Sequence, residues 1–364
     1  MKERCALCGR ELPPGEGIEF RNHVYCQHCL DQISYECTEC GRRILRDSHD
    51  GFEDYSLCYR CYNEYYTTCS HCGTLIRLDE TIYDDDDEDH DYPYCRDCAK
   101  YHNAIRGYYY KPEPIFYGED APRYLGVELE VDCGGERVEN AYAVLQVINH
   151  KNPLAYCKHD GSLSDGFEIV THPMTLAFHQ NSMPWQDAVD TVRRMGYRSH
   201  KAGTCGLHIH VNRDSLGETW EEQDQVIARI LYFVEKHWEE LLKFSRRTQT
   251  QLDRWASRYG YKDSPWEILD KAKGHCGRYT CVNLGNEETV EFRIFRGTLK
   301  YNTIIATLQL VNRICNVAFL MSDRELKDMS WTTFVSGCTQ PELIQYLKER
   351  QLYINEPVST EEEV

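Results

Sequence analysis

The chain has 364 residues, more than the roughly 100 to 200 of a typical domain, so two folding units, or one with appendages, are expected. With 41% hydrophobic and 27% charged residues it has ordinary globular composition, which excludes wholesale disorder. The net charge is −18, of which −11 falls within residues 1–103, where 22 Asp and Glu outnumber 11 Lys and Arg. Such a segment repels phosphate, so nucleic acid is an unfavoured partner.

The opening run Met1-Lys2-Glu3-Arg4-Cys5 has no apolar targeting core, which predicts a cytoplasmic protein. The apolar stretch from Ile304 to Met321 is interrupted by Thr, Gln, Asn and Arg313, so no membrane span is expected.

Twelve of the nineteen cysteines lie before residue 100 as C-x-x-C pairs: Cys5/Cys8, Cys26/Cys29, Cys37/Cys40, Cys58/Cys61, Cys69/Cys72 and Cys95/Cys98. Cys5, Cys37 and Cys69 recur every 32 residues, which marks an internal repeat. Each repeat holds one four-cysteine zinc site, three structural zincs in all, within modules 5–29, 37–61 and 69–98 of a region 1–102. Redox C-x-x-C motifs would not require tandem repetition. Ligation within repeats is expected, although interleaved pairing satisfies the same ligand count.

Gly9, Gly41 and Gly73 follow the first pairs and permit the positive φ of a knuckle whose N–H groups face thiolates. The modules are similar in outline to small zinc-ribbon, treble-clef and LIM-like folds, with each second pair opening a short helix. The acidic loop Asp84 to Asp91 is read as a solvated loop or a dock for a basic partner. Cys133, Cys157, Cys205, Cys276, Cys281, Cys315 and Cys338 are scattered singly, as reduced thiols in a core would be.

From 103 to 122 the run Tyr108-Tyr109-Tyr110-Lys111-Pro112-Glu113-Pro114 reads as a semi-rigid linker. Beyond it, β-rich and helical runs alternate, the texture of an α/β or α+β domain over 123–355, followed by an acidic tail 356–364. Strands are predicted at Arg123–Asp132, Gly166–Thr171, Gly206–Asn212, Tyr279–Leu284 and Thr289–Gly297. Helices are predicted at Val138–His150, Gln180–Met195, Thr219–Phe244 and Asn302–Met321.

Four of these strands carry charge in step with the pleat. Glu128 and Glu130 share one face while Val127, Leu129 and Val131 take the other, and His208, His210 and Asn212 alternate with Leu207, Ile209 and Val211. Glu168 sits between Phe167 and Ile169, and Glu291 and Arg293 alternate with Val290, Phe292 and Ile294. One strand of this kind is usually just a solvated edge. Four together suggest oxygen and imidazole ligands for hard cations with guanidinium for phosphate. The His-x-His strand also suits a zinc hydrolase, but several carboxylates per imidazole pair favour magnesium.

At these motifs the chain resembles the amidoligase family, carboxylate-amine ligases of glutamine synthetase and glutamate-cysteine ligase fold. The resemblance runs from about Tyr124 to Leu320, through Leu125-Gly126-Val127-Glu128-Leu129-Glu130, His159-Asp160-Gly161-Ser162-Leu163, Phe167-Glu168-Ile169-Val170-Thr171-His172-Pro173, Gly206-Leu207-His208-Ile209-His210-Val211 and Val290-Glu291-Phe292-Arg293-Ile294-Phe295-Arg296-Gly297.

It implies an α+β domain, an antiparallel sheet with helices on one face, and an ATP- and magnesium-dependent ligase working through an acyl phosphate. Carried over, Glu128, Glu130, Glu168, His208 or His210, and Glu291 hold the cations. Arg278, Arg293 and Arg296 face the nucleotide phosphates, with Arg246 and Arg247 as weaker candidates. Asp160 is a candidate proton acceptor. Arg293 and Arg296 fall on opposite strand faces unless a bulge intervenes. A protein or peptide substrate, recruited by the zinc array, is the expected partner, with no role for a membrane. A scaffold with an inert ligase-like domain is the alternative of a different class.

Overall fold

The computed structural model describes residues 3–46, 48–83, 90–275 and 277–353. The chain divides into two compact units, Met1–His102 and Asn103–Val364. Most of the acidic loop, Cys276 and the tail lie outside the described residues.

The first unit is built from short hairpins, among them Ile18–Phe20 with His23–Tyr25, Ser34–Glu36 with Arg43–Leu45, and Tyr66–Thr68 with Leu75–Arg77. Helices Gln27–Ile33, Tyr59–Tyr65 and Arg96–His102 each start directly after the third cysteine of a repeat. Such small elements bury little apolar area. Around the second repeat the core is only Ile44, Leu57 and buried cysteines, with Tyr35, Tyr62 and Tyr66 packed against them. The repeats therefore depend on their cysteine clusters for cohesion.

The second unit is α+β. Its sheet strands are β1 (Ile105–Arg106), β2 (Leu125–Val131), β3 (Ala155–Lys158), β4 (Phe167–Thr171), β5 (Gly206–Asn212), β6 (Val282–Asn283) and β7 (Thr289–Arg296). They lie in the order β6-β7-β5-β2-β4-β3-β1, antiparallel except for the β3/β1 pair. Val127, Leu129, Ile169, Leu207, Ile209 and Phe292 are almost wholly buried, in one core with helices that include Val138–Ile148, Trp185–Arg194, Trp220–Lys236 and Tyr301–Leu320. The opposite face carries the polar side chains.

Several sequence expectations change in detail. The helix expected over Thr219–Phe244 breaks at His237 into Trp220–Lys236, opened by a Thr219/Glu222 capping box, and Trp238–Ser245. The one expected over Gln180–Met195 becomes Leu176–Asn181 and Trp185–Arg194, separated at Pro184, which cannot donate to a continuing helix. Helix Tyr301–Leu320 is apolar and long enough to pass for a membrane span, contrary to expectation. Most of it is buried, so a core position accounts for its composition. The segment expected as a linker supplies β1 and packs as part of the second unit, because Ile105 and Arg106 find backbone partners on Cys157 and Lys158.

Candidate functional site

Register decides which charged groups meet. In the β2/β5 pair Glu128 stands opposite His208, and in the β2/β4 pair Glu130 stands opposite Glu168. In the β5/β7 pair His210 stands opposite Glu291. His208 is central: its Nδ1 lies 3.1 Å from Glu128 and 3.7 Å from Glu291, while Nε2 lies 3.7 Å from Glu130. Two overlapping sets, Glu128/His208/Glu291 and Glu130/Glu168/His208, bring one ligand atom from each member within 4.8 Å of the others.

Electrostatics is strained toward negative charge. Burial and the neighbouring Glu128 push the Glu168 carboxyl well above the ordinary range, with Lys158 relieving it only from 3.6 Å. Burial opposes ionisation of Glu128 too, yet the charge of nearby His210 and a hydrogen bond with His208 hold it well below the ordinary value. Glu291, also buried, is held down by His210 and by Arg293, which donates to it, and Asn283 donates to its other oxygen at 2.8 Å. Burial works against the charge of His210, but Glu128 raises its pKa. His210 Nε2 is buried without an aligned hydrogen-bond partner although Glu128 Oε1 is only 3.1 Å away. Carboxylates crowded in this way, with an orphaned buried nitrogen, fit hard divalent cations such as magnesium. Neither set contains both imidazoles, so the arrangement of two histidines and a carboxylate that a zinc hydrolase needs is not formed by these sets.

These groups floor a cavity of about 1000 Å³. Its walls include Arg247 and Arg293, Lys158, and the aromatic side chains of Tyr108, Tyr110, Trp255 and Tyr279. Burial lowers the Arg247 guanidinium to about 10, while Glu130 supports its charge. Gly206 permits the close fit: a Cβ there would stand 2.5 Å from His208 Nε2 and 2.8 Å from Arg247 Nη2. Its N–H donates to Glu130.

Of the residues singled out in the sequence, Glu128, Glu130, Asp160, Glu168, His208, His210, Arg278, Glu291 and Arg293 all line this cavity. Asp160 belongs to neither ligand set and accepts from the Ser162 N–H in a turn. His210 lies outside both candidate ligand sets, its Nδ1 taken up by Thr289 at 3.1 Å. A bulge does intervene in β7, since Leu207 pairs with Phe295 and Ile209 with Phe292, which returns Arg296 to the face of Arg293. Arg296 nevertheless is not a cavity-lining residue. It sits at the strand end and donates to the Arg246 carbonyl beyond helix Trp238–Ser245. Arg247 and the strap Tyr108–Pro114 are the residues that strand patterning undervalued; the run of three tyrosines was their available signal.

In the first unit the twelve cysteines form three groups, Cys5/Cys8/Cys26/Cys29, Cys37/Cys40/Cys58/Cys61 and Cys69/Cys72/Cys95/Cys98, so the clusters are sequential, each within one repeat. Gly9, Gly41 and Gly73 have φ near +70° (71, 69 and 70°) and each donates to the carbonyl of the first cysteine. Backbone N–H groups of Cys8 and Cys26 bring the Cys5 thiol down to about 6; at Cys37 and Cys69 the same effect overcomes burial to reach about 6. Cys26 and burial push Cys29 up to about 12. Four sulfurs that share donors but cannot all ionise without a counter-charge fit zinc.

Residues 145–315 match the sequence model of the family described as "Putative amidoligase enzyme". The match takes in Glu168, His208, Glu291 and Arg293 but leaves Glu128, Glu130 and the strap outside it. No curated protein sequence matches the chain. Among the solved structures that resemble it are two ligases. A bifunctional glutathione synthetase from Pasteurella multocida is 14% identical with a TM-score of 0.31, over 63% of this chain and 46% of that one. The complex between prokaryotic ubiquitin-like protein Pup and its ligase PafA gives 11% identity and a TM-score of 0.28, over 63% of this chain and 56% of that chain. The chain thus spans about half the length of these structures, and the likeness is loose.

Proposed function

We propose that the second unit, whose residues 145–315 match the amidoligase model, is an ATP- and magnesium-dependent ligase joining a carboxylate to an amine. The observation that carries this reading is the convergence of Glu128, Glu130, Glu168, His208 and Glu291, from four strands, into two overlapping ligand sets on the floor of one cavity. Magnesium held there would neutralise charge on the phosphoryl oxygens of ATP.

In the proposed reaction an oxygen of the substrate carboxylate attacks the γ-phosphorus, the bond to the β,γ-bridging oxygen breaks, and ADP leaves. The amine nitrogen then attacks the acyl carbon, phosphate departs with the C–O bonding pair, and the nitrogen loses a proton. Arg293 and Arg247 lie where they would draw negative charge away from the transferred group. Arg293 is itself held by Glu291, which limits its swing and presents its remaining N–H groups. Asp160, in the cavity wall but outside both ligand sets, is a candidate to take the amine's proton, as are other carboxylates of the wall.

The first unit, in this reading, holds three structural zinc ions and recruits a protein or peptide substrate. Its acidic composition suits a basic partner. No disulfide joins the described cysteines, which suits the reducing setting that this reading assumes.

The test is incubation with ATP, magnesium, hydroxylamine and a panel of carboxylic acids. Hydroxamate appearing with one equivalent of ADP is the expected result. No nucleotide binding and no ADP with any acid would overturn the proposal.

A further inference from the structure

The segment from Gly107 to Phe116 lies outside the family match, yet most of it lines the cavity. It is tied down at both ends on one side of the sheet. Before it, Arg106 accepts from the His159 N–H at 2.9 Å within β1. At its far end the Ile115 N–H donates to His172 Nδ1 at 3.3 Å, and just beyond it the Tyr117 N–H donates to the Pro173 carbonyl at 3.0 Å. In between, Tyr110 packs edge-on against Tyr156 with ring centroids 5.3 Å apart, under the Arg106 guanidinium at 4.8 Å.

Tyr108 leaves this anchored run toward the opposite edge of the sheet, where Arg278 precedes β6. The Arg278 guanidinium donates to the Tyr108 hydroxyl and, at 3.4 Å, to that of Tyr279. Its carbon lies 5.7 Å from the Tyr108 ring and 5.2 Å from the Tyr279 ring, so the cation is flanked by two aromatic faces. Tyr279 rests against Trp255 at 5.4 Å and under Arg293 at 5.9 Å, and Arg293 reaches the floor at Glu291. Segments beyond the two edges of the seven-stranded sheet thus meet above the carboxylates.

An exposed arginine stacked on a tyrosine is ordinarily a weak surface contact. Here both partners line the cavity, and hydroxyls and rings hold the guanidinium without neutralising it. Arg229, Arg258 and Arg293, by contrast, are each bonded to a carboxylate. The charge of Arg278 remains available to a ligand.

Resting on the ligase reading, we propose that Tyr108 is a positioning residue: it holds Arg278 over the cavity so that an anionic group of the substrate, phosphoryl or carboxylate, is clamped between that guanidinium and the floor. The strap, which precedes the residues that match the family model, then contributes to substrate recognition. Losing the Tyr108 hydroxyl would let Arg278 swing toward solvent, weakening ground-state binding while leaving the reacting groups in place.

The experiment compares the wild-type full chain, Tyr108→Phe, Tyr108→Ala, Arg278→Met and the double variant Tyr108→Phe/Arg278→Met. Calorimetry with magnesium-ATP and with magnesium tripolyphosphate gives one arm. KM and kcat for the acid found in the hydroxamate screen give the other. Tyr108→Phe should weaken the anion by about 5-fold and Arg278→Met by about 50-fold, the strength of a charge-assisted contact. The double variant should equal Arg278→Met, because the hydroxyl acts only through the guanidinium. The loss should fall on KM more than on kcat.

A loss in both calorimetric titrations identifies a phosphoryl group. A rise in KM for the acid alone identifies a carboxylate. Either supports the proposal. Tyr108→Phe behaving as wild type in both arms, or effects that multiply in the double variant, overturns it while the ligase reading stands. If wild-type protein binds no magnesium-ATP, both fall.

Discussion

The two units gather ligands in opposite ways. In the first, each cluster takes its sulfurs from two C-x-x-C pairs within one repeat, and little else holds the repeat together. In the second, the carboxylates and imidazoles come from β2, β4, β5 and β7, which span residues 125 to 296, and a large apolar core holds those strands before any ligand arrives. A local cluster can make metal binding and folding the same event. A cluster assembled on a finished sheet instead concentrates like charge at a cost to the fold, which a ligand relieves.

This contrast is most sharply tested by removing one ligand from each unit. Cys37→Ser should abolish the second metal site and unfold residues 37–61, a loss on the order of 10 kcal/mol of metal-linked stability. Metal content should fall by one ion of three, with backbone amides of that repeat exchanging freely, while the melting transition of the second unit stays put. A collapse of both units together would erase the distinction.

Glu128→Gln and Glu291→Gln should do the reverse, lowering ADP formation by about a thousandfold, roughly 4 kcal/mol, without lowering the melting temperature in chelator. Circular dichroism melts beside a coupled ADP assay check this.

A third test concerns the core that supports the sheet. His179 is fully buried, its Nε2 donating to the Leu125 carbonyl at 3.0 Å and its Nδ1 accepting from Trp185. Burial lowers its pKa to about 4. Because the folded pKa lies below the unfolded value of about 6.5, the unfolded chain binds the extra proton between those limits. Stability contributed by neutral His179 is complete above about pH 6.5 and is lost as pH falls toward 4, by about 3 kcal/mol. Urea titrations of wild type and His179→Gln should differ in slope against pH in that window; parallel curves would refute the assignment.

The smallest effect is the most diagnostic of the strained floor. Burial and Glu128 raise the Glu168 pKa, so its ionisation opposes folding above the ordinary carboxylate range. In chelator, Glu168→Gln should therefore gain about 1 kcal/mol at neutral pH and lose that advantage as pH drops and the wild-type residue protonates in both states. Added magnesium should reverse the order, stabilising wild type more than the variant.

What could be read along the chain was whatever depends on spacing. The 32-residue period and the C-x-x-C pairs specified the cysteine clusters because all four ligands of each lie within about thirty residues. Period-two alternation placed Glu128, Glu130, Glu168, His208 and Glu291 on one sheet face, since adjacent strand residues must point oppositely.

Tertiary structure decided the rest. The pairings of Glu128 with His208 and of Glu130 with Glu168 are matters of inter-strand register, set by how the apolar faces pack under the helices. The bulge that turns Arg296 back to the face of Arg293 leaves no mark in the alternation itself. A tyrosine-proline run with no periodicity looked like a connector. It became a cavity wall because β1 found an open edge on β3, and strand pairing across some fifty residues is a choice made only when the sheet closes.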